Sequence, residues 1–472
     1  MDQCETNENT QLAITTKGFS AVCSVRLILA IYHICNLTRR KKLMTIKNPL
    51  VIVSFDAMGA EDIAEHIDLM PNVAALIARG THVKKVEGIY PTLTYPSHTT
   101  IMTGVYPAKH GIVNNTKIQP ELGDSPDWFW YARDIETPTL FDLAHNKGLK
   151  TAAFLWPVSA KAPITWNIAE IFPNRIWTNQ YFVSFHASSP YFLFDMNRKF
   201  GKFRKGIAQP QLDQFITKAA ADTIKHKKPD MTAIHLIDMD SHRHKYGVRS
   251  KQAYEALKRL DGNLGDIIQA TKDAGTFEQT NFVVLGDHFQ IDVANMIHLN
   301  KLFAINDWLT VTDKGLIAND WRVLAKTTDG STYIYIKDLS LVDEVRAVVQ
   351  QVPGIEMIYT SADIIKWHID PEATFIVEAQ NGFFFTDEVD RPVVVEPTDE
   401  KELGQSDRYK AVHGFRPDKV GYQTTLVMAG PDIAHGTIEE ASLVDEAPTM
   451  AQLLDVEFEN VLDGIPLTKA FK

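Results

Sequence analysis

Five short apolar runs punctuate the chain: "PLVIVSFD" (49–56), "KTAAFLWP" (150–157), "MTAIHLIDMD" (231–240), "NFVVLGDH" (281–288) and "TTLVMAGPD" (424–432). Each gives way to turn residues and a helix-period pattern. Unbroken Val/Ile/Leu-rich runs of this length suit strands buried on both faces of a parallel sheet. In 250–275, Tyr254, Leu257, Leu260, Leu264, Ile267 and Ile268 recur at spacings of three and four, which places them on one face of a helix. Gly275 supplies its C-terminal stop. Strand–helix alternation predicts an α/β sandwich with a central, mostly parallel sheet flanked by helices. Residues 291–404 break this rhythm. "STYIYIKD" (331–338), "GFFFTDE" (382–388) and "RPVVVEP" (391–397) read as strands and 341–352 as a helix. This stretch is expected to form an inserted α+β subdomain that rejoins a principal domain built from 44–290 and 405–472.

Residues 1–43 follow neither pattern. An acidic start leads into "GFSAVCSVRLILAIYHICNL" (18–37), interrupted by Arg26 and His33, and then "TRRKK" (38–42). Three readings stay open: a membrane anchor, a signal-like segment, or translated upstream sequence with Met44 as the start. A span would leave the basic cluster, and the main domain after it, on the cytoplasmic side. The main domain is therefore expected to be cytoplasmic, free or anchored, with an extracytoplasmic location still open. Membrane contact is expected only through 18–37.

Composition narrows the chemistry. The formal net charge of −11 over 472 residues, with no Lys/Arg-rich stripe offsetting it, argues against binding a nucleic-acid polymer. Cys4, Cys23 and Cys35 all lie near the amino terminus, so a thiolate nucleophile or thiolate metal site is excluded from the rest of the chain.

The polar residues that close the apolar runs are the candidates for function. Asp56, Asp240 and the pair Asp287–His288 stand at predicted carboxyl ends of strands, where open α/β sheets bind ligands. In "DMDSHRHKYG" (238–247), Asp240 and His244 are four apart, so one helical turn would aim both at a single point, whereas His242 reads as solvated. "AVHGFRPD" (411–418) adds His413. Carboxylate oxygens and neutral imidazoles are suitable zinc ligands. Three Asp and three His exceed one tetrahedral site but suit two divalent cations with positions open for substrate. Such a pair could activate a hydroxyl in "YPTLTYPSHTTIMTGVYPAKHGIVNN" (90–115), where Thr92, Thr94 and Ser97 compete as nucleophile. His98 and His110 in the same stretch are expected to satisfy local hydrogen bonds.

In order along the chain, "SFDAMG", the 90–115 stretch, "DMDSHRHKYG", "LGDH" and "VHGF" resemble the alkaline phosphatase superfamily. They are most similar to its nucleotide pyrophosphatase/type I phosphodiesterase branch, over roughly 48–290 and 405–460. "SLVDEAPTMAQLLDV" (442–456) resembles the superfamily's final helix. The resemblance implies an alkaline-phosphatase-like fold and two zinc ions, one on Asp240, His244 and His413, the other on Asp56, Asp287, His288 and the nucleophile Thr94. It implies that Asn115 hydrogen-bonds a phosphate oxygen, and that Tyr95 stacks a nucleobase or else packs into the pocket wall. The activity implied is hydrolysis of small phosphodiesters or nucleotide pyrophosphates through a phosphothreonine. Phosphonate hydrolysis (of a phosphonoacetate-like compound), phosphomonoester hydrolysis and a tethered binding role on a retired phosphatase fold are the alternatives. Two positions depart from the branch: Leu93 stands where many members have Lys, and Phe289 follows the Asp–His pair where Gly is common. A bulky Phe289 is expected to narrow the pocket or shift His288.

Overall fold

The computed structural model describes residues 48–472 apart from Asp124, Ile176, Trp177, Gly404 and Ser406; the apolar segment 18–37 lies outside them. Six strands precede residue 290: β1 (Leu50–Phe55), β2 (Gly80–Glu87), β3 (Thr151–Phe154), β4 (Trp166–Ile168), β5 (Met231–Leu236) and β6 (Asn281–Leu285). Eight follow before His413: β7 (Ile291–Ile297), β8 (Val323–Thr327), β9 (Ser331–Ile336), β10 (Ile355–Tyr359), β11 (Phe375–Ala379), β12 (Gly382–Phe385), β13 (Val395–Pro397) and β14 (Ala411–Val412). The last two are β15 (Thr424–Ala429) and β16 (Gly436–Ser442).

The principal sheet runs β16-β2-β15-β6-β1-β5-β3-β4. Each neighbouring pair is parallel except the two made by β15. The sandwich expected from the sequence is therefore present, with one correction: the fifth apolar run forms an antiparallel strand. Its composition matches its parallel neighbours because it too is covered on both faces, and strand direction leaves no trace in such a pattern.

Period-two alternation divides the strand side chains between two cores. Val51, Val53 and Phe55 of β1, Ile234 and Leu236 of β5, and Phe282 and Val284 of β6 face one helical layer. Leu50, Ile52, Met231, Ala233, Val283 and Leu285 face the other. The helix Lys251–Asp273 lays Leu257, Leu260, Leu264, Ile267 and Ile268 on the first face, with Gly275 just beyond its end at φ +70°. The helices Thr94–Thr103 and Glu446–Leu454 cover the second face. Three strands escaped the pattern: β2 and β16, which are part-exposed along one edge, and the three-residue β4.

Residues 291–404 carry two further sheets, β10-β11-β9-β8 and β12-β7-β13. β14 also pairs with β7, so the second of these sheets reaches past 404 to the residue preceding His413. Their apolar side chains, among them Phe303, Trp308, Val323, Ile334, Phe384 and Phe385, form a third buried cluster.

Leu264 is fully buried between helix and sheet. Leu264→Ala is expected to cost about 2–5 kcal/mol, the usual range for a cavity of that size. The checking measurement is a lower urea midpoint.

Candidate active site

Every sequence-predicted ligand converges beyond the carboxyl edge of the principal sheet. Asp56 follows β1, and Asp287 and His288 follow β6. Asp240 lies not at the end of β5 but in the first turn of the helix Asp238–Tyr246 that succeeds it. That helix makes the spacing of four effective, since His244 Nε2 lies 3.3 Å from Asp240 Oδ1. His413 follows β14, whose pairing with β7 fixes its approach. The next residue, Gly414, has φ +82°, and a Cβ there would meet the Thr328 carbonyl at 1.5 Å, so only glycine fits. Thr94 is the first residue of the helix Thr94–Thr103.

Two compact ligand groups result. Asp56, Asp287 and His288 place one ligand atom each within 4.8 Å of one another, and so do Asp240, His288 and His413. His288 belongs to both, so the two groups are adjacent. His244 stands beside the second group through Asp240. Thr94 Oγ1 lies 3.0 Å from His288 Nε2, which itself is 3.3 Å from both Asp56 Oδ1 and Asp287 Oδ2. The competing hydroxyl of Thr92 is already committed to the Phe415 carbonyl, the Tyr422 hydroxyl and the Gly414 N–H. His98 and His110 hold local hydrogen bonds as expected: His98 to the Thr94 carbonyl and Ser54 Oγ, His110 to Thr100 Oγ1 and the Ile112 N–H.

The donor set fits divalent cations on physical grounds. Asp56 Oδ1, Asp287 Oδ2, His288 Nδ1 and His413 Nδ1 are buried without a hydrogen bond, although such atoms normally find a partner. Burial, reinforced by Asp240 and Asp287, raises the Asp56 carboxyl well above its ordinary value. Burial likewise pushes Asp287 up to about 8. Burial opposes ionisation of Asp240 too, but the adjacent His244 and His413 hold its carboxyl low. Burial lowers His288 and His413 well below the usual imidazole value, keeping them neutral. His244 donates Nδ1–H to the Ala411 carbonyl at 2.8 Å, which turns Nε2 toward Asp240.

Asn115 Oδ1 accepts the Tyr95 N–H at 3.0 Å, leaving the amide NH2 as its donor. Asn114 is structural: its Nδ2 donates to the Thr327 carbonyl. Tyr95 is 1% exposed and packs edge-on against Trp128, as a wall residue does. Phe289 corrects the sequence expectation. It is buried against the Arg243 guanidinium, 4.8 Å from its ring, and over Gly59, whose added Cβ would lie 2.3 Å from it. It is absent from the described residues lining the cavity.

That cavity, about 330 Å³, is lined by Asp56, Thr94, Asn115, Asp240, His244 and His413 and by residues that sequence reasoning missed. Glu170 is half-buried, and desolvation pushes its carboxyl up to about 8. Asp329 Oδ2 is 3.5 Å from His413 Nδ1. Lys326 pairs with Asp387. Below the floor, His235 Nε2 lies 3.2 Å from Asp56 Oδ2. The fully buried Arg243 joins Asp62 to the Ala57 carbonyl, which ties the Asp240 helix to the Asp56 loop. Asp329 sits in a D-G turn signal, readable as a turn but not as a neighbour of His413. Glu170, Lys326 and His235 carry no local signal.

Comparison with known proteins places this fold. The fold is shared with murine ectonucleotide pyrophosphatase/phosphodiesterase 5, solved as an inactive variant in complex with AMP. The TM-score is 0.62 at 18% identity, covering 88% of this chain and 96% of that one. The human protein of that name gives 0.62 at 19%, covering 88% and 97%. These are alkaline-phosphatase-like folds. A family model described as type I phosphodiesterase/nucleotide pyrophosphatase matches residues 50–415, straight through the 291–404 stretch, and the chain belongs to that family. Venom phosphodiesterase 2 of Crotalus adamanteus is 27% identical over 252 residues, 51% of this chain and 27% of the relative. Human ectonucleotide pyrophosphatase/phosphodiesterase family member 1 is 26% identical over 265 residues, 54% and 25%. These alignments therefore span about a quarter of each curated relative.

The raised carboxyls set a pH signature for protein stripped of metal. A carboxyl raised on folding stabilises fully below its unfolded value, and that stability is lost as pH climbs through the folded one. His244, pushed to about 9 because Asp240 and Asp329 outweigh its burial, acts in the same direction. The histidines lowered by burial act the other way, but only below about pH 6.5. Stripped protein is expected to lose thermal stability steadily from about pH 6.5 to 9. Added Zn²⁺ should raise the melting midpoint most at the alkaline end, as calorimetry would read directly.

Proposed function

We propose that the chain is a two-metal phosphodiesterase that hydrolyses small phosphodiesters or nucleotide pyrophosphates through a phosphothreonine at Thr94. One observation carries this reading: Thr94 Oγ1 lies 3.0 Å from the one histidine common to both ligand groups. Asp56, Asp287 and His288 with Thr94 would hold one cation, and Asp240, His244 and His413 the other. Bound there, two zinc ions would supply Lewis-acid charge that lowers the hydroxyl pKa and stabilises the leaving oxygen.

The chain's own residues do the rest. The helix start fixes Thr94 at the cavity floor, where its Oγ attacks phosphorus as the P–O bond to the leaving alcohol breaks. Asn115, held through Oδ1, presents its amide N–H to a non-bridging oxygen, a contact typically worth ~10²–10³ in rate. Water then cleaves the phosphothreonine, returning the hydroxyl and releasing the phosphate product. Among the described residues lining the cavity, Lys326 is the one Lys or Arg, and Asp387 already pairs with it. A diester's single negative charge suits that arrangement better than a monoester's double charge. The AMP complex of the murine neighbour supports a nucleotide as substrate. Trp128, half-buried beside Tyr95, is the wall residue available to a base.

Purified metal-loaded protein is expected to turn over bis(p-nitrophenyl) phosphate faster than p-nitrophenyl phosphate. Equal or better monoester turnover would reverse the substrate assignment, and turnover of phosphonoacetate alone would replace it with phosphonate hydrolysis. Thr94→Ala should keep about two metals per chain yet lose at least ~10³-fold in kcat.

A further inference from the structure

The chain's overall acidity hides a local reversal. From 171 to 212 the only acidic residue is Asp195, against Arg175, Arg198, Lys199, Lys202, Arg204 and Lys205. This corrects the expectation that no basic stretch offsets the net charge. The same region carries the helices Gln180–Ala187 and Pro190–Phe200, which turn large side chains outward. Tyr181 and Phe182 are each 77% exposed, Tyr191 93% and Phe194 60%, while Ile207 nearby is 62% exposed. The second helix already spends Phe192, Leu193 and Met196 on the core, so its outward aromatics are surplus to folding. The pieces lie together: Gln180, Ser184, Leu193, Arg204 and Ile207 border one largely apolar cavity.

We propose that these outward helix faces and the 198–205 cations form a docking surface for an anionic lipid bilayer. Exposed Phe and Tyr rings suit the boundary between headgroups and acyl chains, where an amphipathic ring keeps one end dry and one wet. Lys and Arg on long stems beside them reach anionic headgroups. Arg198 and Lys199 share Asp195, and Lys199 also reaches Asp222, so the unspent charge concentrates at Lys202 and Lys205, both exposed. Charge complementarity selects the occupant: a cationic, ring-studded face on a chain of net charge −11 seeks a negative, apolar-edged partner. Glu170 and Ile237 line both the cavity beneath this face and the catalytic one, so docking would bring the lipid surface close to the reaction site. This contact is separate from any made by 18–37 and does not depend on the catalytic reading.

The test is hydrogen exchange of the full chain with phosphatidylcholine vesicles, with and without phosphatidylserine. Amides of 180–200 are expected to slow about tenfold on phosphatidylserine vesicles alone, and high salt should reverse this. Combined Tyr181→Ser, Phe182→Ser, Tyr191→Ser and Phe194→Ser should abolish the protection with an unchanged melting midpoint. If that variant fails to fold, Lys202→Gln with Lys205→Gln should still weaken protection several-fold. Vesicles that bind the chain without protecting 180–200 would overturn the proposal. So would lipid-free protection that disappears on deleting 1–43 or rises with protein concentration, since these assign the face to the chain itself or to a second copy.

Discussion

Three aspartates forced into one buried space are the constraint on which the rest of this molecule turns. Asp56, Asp240 and Asp287 are all buried, and Glu170 and Asp329 add carboxyls to the same cavity. Such crowding is unfavourable for a folded protein by itself, because charges removed from water need compensation. His288 and His413, kept neutral by burial, cannot supply it, and His244 alone does not balance so many carboxyls. Bound metal cations can, and the unpartnered oxygens and ring nitrogens suit them. The strain would thus be relieved by the group that performs the chemistry.

The scaffold answers to this constraint at several points. Arg243 spans two segments that each bring a carboxylate. The carbonyl of Ala411 fixes the orientation of the His244 ring. The Gly330 N–H donates to the His413 carbonyl at 2.9 Å and the Gly414 N–H to the Thr92 carbonyl at 3.0 Å, so the turn after β14 is clamped between the 291–404 stretch and the Thr92 segment. That stretch is therefore no ornament on the catalytic core. It supplies Lys326 and Asp329 to the cavity wall, and through β7 it steers His413.

The exposed aromatic helices show a different economy. Core demands explain Phe192, Leu193 and Met196 but not Tyr191 or Phe194, and single exposed apolar side chains are commonplace where a cluster is not. Their placement against the cavity that shares Glu170 with the catalytic site links surface and chemistry.

The sequence by itself determined the strand runs, the helix 251–273 and the residue types of the site, because burial on one or both faces writes a periodic signature and because Asp, His and Thr announce their chemistry. Asp240 and His244 were legible as a pair since four residues make one helical turn. Tertiary structure alone decided the direction of β15, the packing of Phe289 against Arg243, and the arrival of Glu170, Asp329, Lys326 and His235 at or beneath the cavity. Those outcomes depend on which segments become neighbours across long stretches of chain, and no local pattern of polarity encodes a distant contact.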